Sequence, residues 1–143
     1  MNRLNGTDAL ARYQVASGST ITPGDLVALN GDGKAVPAAD TAGLKVIGVA
    51  KSVTDGEVEI FNGVVTMENG ASTAALSRAD RGEPVYAVNA HTVGKTATNK
   101  IVAGLMVDLY DGDVYLLCDP CAIAAGTARV EAAAAAAAAA AKS

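Results

Sequence analysis

Residues 20–52 read TITPGDLVALNGDGKAVPAADTAGLKVIGVAKS, a succession of turns and short apolar runs that belongs to an all-β chain. Pro23-Gly24 is a turn signal: proline sets φ for the first central position and glycine accepts a positive φ at the next. Leu26–Leu29 is a short apolar run. Asn30-Gly31-Asp32-Gly33 is the composition that closes a hairpin. Leu44–Ala50 is apolar except for Lys45 and Gly48 and suits a strand covered on both faces. Nothing in the stretch has the makings of a reaction centre; it reads as scaffold.

Downstream, Thr54–Glu57 (TDGE) forms a turn around Asp55-Gly56. Asn62-Gly63 is the preferred pair for a two-residue type I′ turn. It predicts a hairpin pairing Phe61 with Val64, Ile60 with Val65, Glu59 with Thr66 and Val58 with Met67, with Val58, Ile60, Val65 and Met67 on one face. Glu57 would then oppose Glu68, where like charges fray the ladder. Asp111-Gly112 predicts a second hairpin, pairing Tyr110 with Asp113, Leu109 with Val114, Asp108 with Tyr115 and Val107 with Leu116. Alternation places Ile101, Ala103, Leu105, Val107 and Leu109 on one face. Between the two hairpins, Asn69–Asp80 reads as a loop with one helical turn, Arg81–Pro84 as a turn into strand Val85–Val88, and His91–Ala97 as an edge segment. Tyr13–Ala16 is a first short strand.

Two stretches echo each other. Pro23-Gly24-Asp25-Leu26-Val27 and Arg81-Gly82-Glu83-Pro84-Val85 each run from glycine through an acid into a strand. Each is followed by an apolar strand carrying a glycine, Gly48 or Gly104. The echo raises an internal duplication of a strand–turn–strand unit, with chance recurrence of Gly and Val as the rival.

The chain has 143 residues, a formal net charge of −4, and only five aromatic residues: Tyr13, Phe61, Tyr86, Tyr110 and Tyr115. So few aromatics imply a thin core that draws on oligomer contacts. Its basic residues are scattered, and the acidic balance opposes binding to a phosphate backbone, so no nucleic-acid partner is expected. Residues 1–11 carry no apolar run of signal-peptide length. Residues 126–143 are low-complexity, GTARVEAAAAAAAAAAKS. Alanine favours helix, Lys142 would sit at the favourable end of the helix dipole, and a uniform alanine helix has no amphipathic stripe. Glu131 and Lys142 bracket the run, and it is not read as a membrane span. The expected organisation is an N-terminal arm (1–12), a β domain (13–121) and an Ala-rich tail (122–143).

Four motifs touch on chemistry, each with a structural alternative. Cys118-Asp119-Pro120-Cys121 has the spacing of a redox pair or half a zinc site; a redox C-x-x-C starts a helix, whereas this one is expected to close a β-hairpin, leaving one buried small residue and one surface thiol. His91 is the only histidine and has no nucleophile beside it, which favours a solvated side chain over a general base. Gly31-Asp32-Gly33-Lys34 lacks the spacing and the hydroxyl of a phosphate loop and reads as a hairpin turn. Asp108, Asp111 and Asp113 cluster at a hairpin tip without the remaining ligands of a calcium loop. No catalytic, cofactor or metal residues are assigned.

The strings TPGDLVALNGDGKAVPAADTAGLKVIGVA, FNGVVTMENG, ADRGEPVYAVNAHTVGKT and KIVAGLMVDLYDGDVYL, in that order, are similar to head-decoration, or capsid cement, proteins of tailed bacteriophages. The similarity runs from about Tyr13 to Leu117 and rests on the order and spacing of these parts. The resemblance implies a small antiparallel β-barrel or sandwich of β-clip or β-tulip type, with an extended N-terminal arm and the Ala-rich tail as an addition. It implies homotrimers on the outer surface of the expanded capsid, partnered by the major capsid protein lattice and bracing it against internal DNA pressure. Made in the host cytoplasm, such a protein ends in the virion. By position, the capsid-binding arm would include Asn2, Arg3, Leu4, Leu10, Arg12 and Tyr13. Two other classes stand beside it: a small β-barrel accessory domain with a ligand-binding or enzymatic role, and a head-fibre or tail subunit.

Overall fold

The computed structural model describes residues 11–141. Among the described residues ten strands precede one helix: β1 (Arg12–Gln14), β2 (Leu26–Leu29), β3 (Ala35–Pro37), β4 (Lys45–Thr54), β5 (Glu57–Phe61), β6 (Gly63–Asn69), β7 (Pro84–Ala87), β8 (Thr92–Gly94), β9 (Val102–Tyr110), β10 (Asp113–Cys118) and α1 (Pro120–Ala141). Two short 3-10 turns, Ser72–Ala74 and Arg78–Asp80, interrupt the loop before β7. The first five strands form a sheet in the order β1-β5-β4-β2-β3, and the last five close a barrel in the order β10-β6-β8-β7-β9. The chain is thus mostly β, with a 22-residue helix added at its end.

The two halves are one unit built twice. In the first, β2 pairs with β4 through Val27↔Gly48 and then skips a residue, so that Ala28 faces Val46. In the second, β7 pairs with β9 through Val85↔Gly104 and skips in the same place, so that Tyr86 faces Val102. The Asp55-Gly56 turn joins β4 to β5, with Thr54 opposite Glu57 and a bulge between Ala50 and Ser52. The Asp111-Gly112 turn joins β9 to β10, with Tyr110 opposite Asp113 and a bulge opposite Tyr115/Leu116. Both turn aspartates have φ 53, as a type I′ turn requires. Backbone bonds outside the ladders repeat as well: Gly24 N donates to Ala50 O (2.8 Å) and Gly82 N to Met106 O (2.7 Å); Asn30 N to Lys34 O (2.9 Å) and Val88 N to Thr92 O (2.9 Å). In the second unit, the closed barrel, β6 closes on β8 by parallel pairing, Asn69↔Val93. In the first, an open sheet, the equivalent parallel bridge, Val15↔Ala35, links the outer strands. The echo seen in the sequence therefore extends from a strand–turn–strand unit to five strands.

Equivalent residues fill equivalent cores. Val27, Ala35, Ala50, Val58 and Ile60 are buried in the first unit. Val85, Val93, Met106, Val114 and Leu116 are buried at the matching places in the second. The second cluster also takes in Leu26, Ala28, Val46 and Val49 from the other face of the first sheet, so the seam between the units is continuous with the second core.

Equivalent parts also meet across the seam. The Asn62 amide donates to the carbonyl of Cys118, its own equivalent, at 3.5 Å. Asp40, in the β3–β4 loop, accepts from the backbone of Thr98 and Asn99, in the β8–β9 loop, at 3.0 and 2.8 Å.

Several expectations are corrected. Asn62-Gly63 makes no hairpin: β5 pairs with β4 and β1, and β6 with β10 and β8. Gly63 has φ 152, outside the left-handed region that a type I′ turn needs. The Asn62 side chain instead donates to Ile47 O at 2.8 Å and fixes a corner where the chain leaves one sheet for the other. Val58 and Ile60 accordingly belong to the first core, and Val65 and Met67 to the second. Glu68 faces Asp113 rather than Glu57. In the second hairpin the pairs from Tyr110–Asp113 to Asp108–Tyr115 hold, but the bulge puts Met106, not Val107, opposite Leu116. Val107 is turned outward and 43% exposed, so the alternation read along β9 breaks there.

The Cys118–Cys121 motif leads from the end of β10 into the first turn of α1, not into a loop after a hairpin. Asp119 caps the helix, accepting from Ala122 N at 2.7 Å, and Pro120 takes the first helical position, where its missing N–H costs nothing. Ala122 and Gly126 are buried against the barrel; a Cβ on Gly126 would come within 2.8 Å of Val102. Arg129 donates to Gly82 O at 2.6 Å and pairs with the Glu83 carboxylate. From Ala132 onward the helix is exposed.

Candidate interaction surface

The outer face of β6-β10-β9 is built in rows by the strand register. Glu68, Asp113 and Tyr110 form one row; Thr66, Tyr115 and Asp108 the next; Val64, Leu117 and Leu105 the third. Val64 is 53% exposed and Tyr110 66%. With the outward Val107, the residues Asp108, Tyr110 and Tyr115 line a shallow depression of about 390 Å³. Arg78 and Arg81 approach Asp108 at 3.8 and 3.9 Å.

The first unit supplies an internal comparison, because the same backbone positions carry other side chains. Lys51 stands where Val107 is, Thr54 where Tyr110 is, Glu59 where Tyr115 is, and Arg12 where Thr66 is. There Arg12 donates to Glu59 at 3.3 Å, and Ser52 Oγ donates to the same carboxylate at 3.0 Å. The fold is satisfied by this polar network, so it does not demand the aromatic and aliphatic residues of the second face. Aromatic residues exposed in a chain that has so few are a mark of contact surfaces.

A second concavity lies at the seam, where the starts of β4 and β9 approach the first turns of α1. It has a volume of about 490 Å³ and is mainly apolar, with Leu44, Ile47, Ile101 and Ile123 on its walls and Lys45 and Lys100 at its edge.

The residues singled out in the sequence fall as follows. Arg12 and Tyr13 lie in β1; Arg12 is spent on Glu59, and Tyr13 packs on the first core. Asn2, Arg3, Leu4 and Leu10 lie outside the described residues. Cys118 is fully buried and Cys121 exposed, both as free thiols. Burial, and then the neighbouring Asp119 carboxylate, push the Cys118 thiol up to about 12. That is the reverse of an activated thiolate. His91 Nδ1 is 3.5 Å from the carboxylate of Asp25, which is itself buried and accepts from Thr22 N at 2.9 Å; this pair tethers a turn. Asn30 Oδ1 accepts from Asp32 N and Lys34 N at 2.9 and 3.0 Å, so the Gly31–Lys34 stretch is a self-bonded turn. Asp108 is held by arginines, while Asp111 and Asp113 stand at the tip; among the described residues no group of three or more His, Cys, Asp or Glu side chains is placed to hold a metal. Helix α1 is long and apolar enough, by length and composition, to cross a membrane; its apolarity is mostly that of alanine.

The outward Val107 escaped sequence reading, because a bulge is a property of the partner strand as much as of the strand itself. The equivalent bulge in the first unit falls between Ala50 and Ser52, where Lys51 takes the place of Val107.

Comparison with known proteins brings no match: no family model, no curated protein and no solved structure is similar to this chain.

Proposed function

We propose that this protein is a structural component of a tailed-phage head, of the β-clip or β-tulip decoration type, which binds the outside of the assembled, expanded capsid and braces it. The observation that carries the reading is the divergence of the twin units. One unit carries the polar network Arg12–Glu59–Ser52 on its outer face, with Phe61 exposed at its end, and the other presents Val64, Val107, Tyr110 and Tyr115 at matching or adjoining positions. A duplicated scaffold with one face specialised for contact suits a module that works by docking. The sequence resemblance to capsid cement proteins names the partner: the major capsid protein lattice, engaged by self-associated copies, with the homotrimer as the expected form. Many modest contacts on a repeating lattice add by avidity, so each needs only a small patch. A net charge of −4 suits a shell exterior that must not hold DNA.

Imaging of purified particles tests the proposal. Density for this protein at regular positions on the head exterior is the expected result. Density on the tail or on fibres would replace the reading with a tail or head-fibre subunit. A particle without it would return the chain to the class of ligand-binding accessory domains.

A further inference from the structure

The two ends of β9 carry opposite characters. Near its start, Lys45 and Lys100 edge the apolar groove of Leu44, Ile47, Ile101 and Ile123, and neither lysine takes an ion pair among the described residues. At its far end the β9–β10 tip presents Tyr110, Asp111 and Asp113. The register sets Asp113 directly opposite Glu68, a like-charge pair that costs stability. Arg78 and Arg81 are occupied with Asp108, and no cation among the described residues pairs with Asp111, Asp113 or Glu68.

We infer that copies of this chain join head to tail, the acidic Tyr110–Asp113 tip of one seated in the Lys45/Lys100 groove of the next. Groove and tip are separated by the length of β9, roughly 30 Å at about 3.3 Å per residue, so a chain cannot fill its own groove with its own tip. An aromatic side chain entering an apolar concavity supplies the buried contact, and two lysines meeting two carboxylates supply orientation and encounter rate. The basic partner also relieves the Asp113–Glu68 repulsion. The contact is heterologous, since the two surfaces differ, and it closes into a ring or continues as a filament according to the rotation between copies. This inference deepens the self-association part of the proposed function and rests on that part alone. It takes Tyr110 out of the proposed shell-facing set and leaves Val64, Val107 and Tyr115 to face a shell.

Sedimentation velocity of the full chain in low salt tests it with no shell present, so its failure is separate from any failure of shell binding. The wild type associates with rising concentration and dissociates with added salt. K45E/K100E and D111K/D113K each associate at least tenfold more weakly, and an equimolar mixture of the two re-associates, because each supplies the charge the other has lost. All four positions lie on the surface; should either variant melt well below the wild type, K45Q/K100Q or D111N/D113N takes its place. A wild type that stays monomeric up to about 100 µM, a concentration at which even weak contacts register, overturns the inference. So does association that neither variant alters, or a mixture of folded variants that stays apart.

Discussion

Gly48 and Gly104 hold the same station in two copies of one five-stranded unit. A Cβ on Gly48 would lie 2.6 Å from the carbonyl oxygen of Phe61, and one on Gly104 would overlap the carbonyl of Leu117, the residue equivalent to Phe61. Each glycine, with φ 150 and 159, lets a long strand bulge and turn its sheet toward closure. Gly48→Ala and Gly104→Ala should therefore each destabilise the fold by about 2–5 kcal/mol, from backbone strain and overpacking together. Urea unfolding of both variants checks this, and the account expects comparable losses at the two sites.

The buried Cys118 gives a pH signature. Its folded pKa of about 12 lies above the ordinary thiol value, so the unfolded chain loses this proton first as pH rises. Cys118 thus contributes stability that is full below the ordinary thiol pKa and is lost between there and about pH 12, at up to ~1.4 kcal/mol per pH unit. Comparing the pH dependence of unfolding of the wild type and Cys118→Ala isolates this component, and the variant should fall less steeply across that window. In the native protein at pH 8 one thiol, that of Cys121, should react promptly with a thiol reagent, and both after denaturation.

Much of this architecture is written legibly in the chain, and the misreadings have physical causes. Asp55-Gly56 and Asp111-Gly112 announce their turns because aspartate and glycine accept the positive φ that the turn needs, and the pairs next to each turn follow from it. Asn62-Gly63 carries the same local signal with a different outcome: tertiary pairing of β5 with β4 and of β6 with β10 outweighs the turn preference, and the asparagine caps carbonyls instead. The duplication left only a trace, because equivalent core positions tolerate different side chains of suitable volume, such as Ala50 and Met106 or Ile60 and Leu116. Among the residues that recur unchanged are Gly24/Gly82, Val27/Val85, Val46/Val102, Val58/Val114, the two turns and the two crowded glycines. The outer face of β6-β10-β9 is half legible: the Asp111-Gly112 turn sets Tyr115 opposite Asp108, whereas the bulge that exposes Val107 depends on the neighbouring strand.

Helix α1 divides into a docked and a free part. Cutting the chain after Glu131 removes residues that are exposed from Ala132 to Ala141, and the melting temperature should change by less than about 2 °C. Cutting after Asp119 instead uncovers the surface beneath Ala122, Ile123 and Gly126 and removes the Arg129–Glu83 pair. It should lower the melting temperature by several degrees or more, as scanning calorimetry of the two truncations would register.

The twin units allow a substitution whose effect on folding is bounded in advance. Val107→Lys with Tyr115→Glu puts on the second face the residues that the first carries as Lys51 and Glu59. The variant should fold with a stability within about 1 kcal/mol of the wild type, as surface changes do, and should lose at least tenfold in affinity for its partner, as removal of an aromatic anchor does. Unfolding curves and a binding titration on the same preparation separate the two effects.

The most direct measurement mixes the purified protein with expanded, emptied tailed-phage heads, the partner proposed above, and separately with free coat subunits, followed by sedimentation. The account predicts saturable co-sedimentation of the wild type with the heads, little association with free subunits, and loss of head binding in V107K/Y115E. Equal binding to heads and free subunits, or binding to neither, would contradict it.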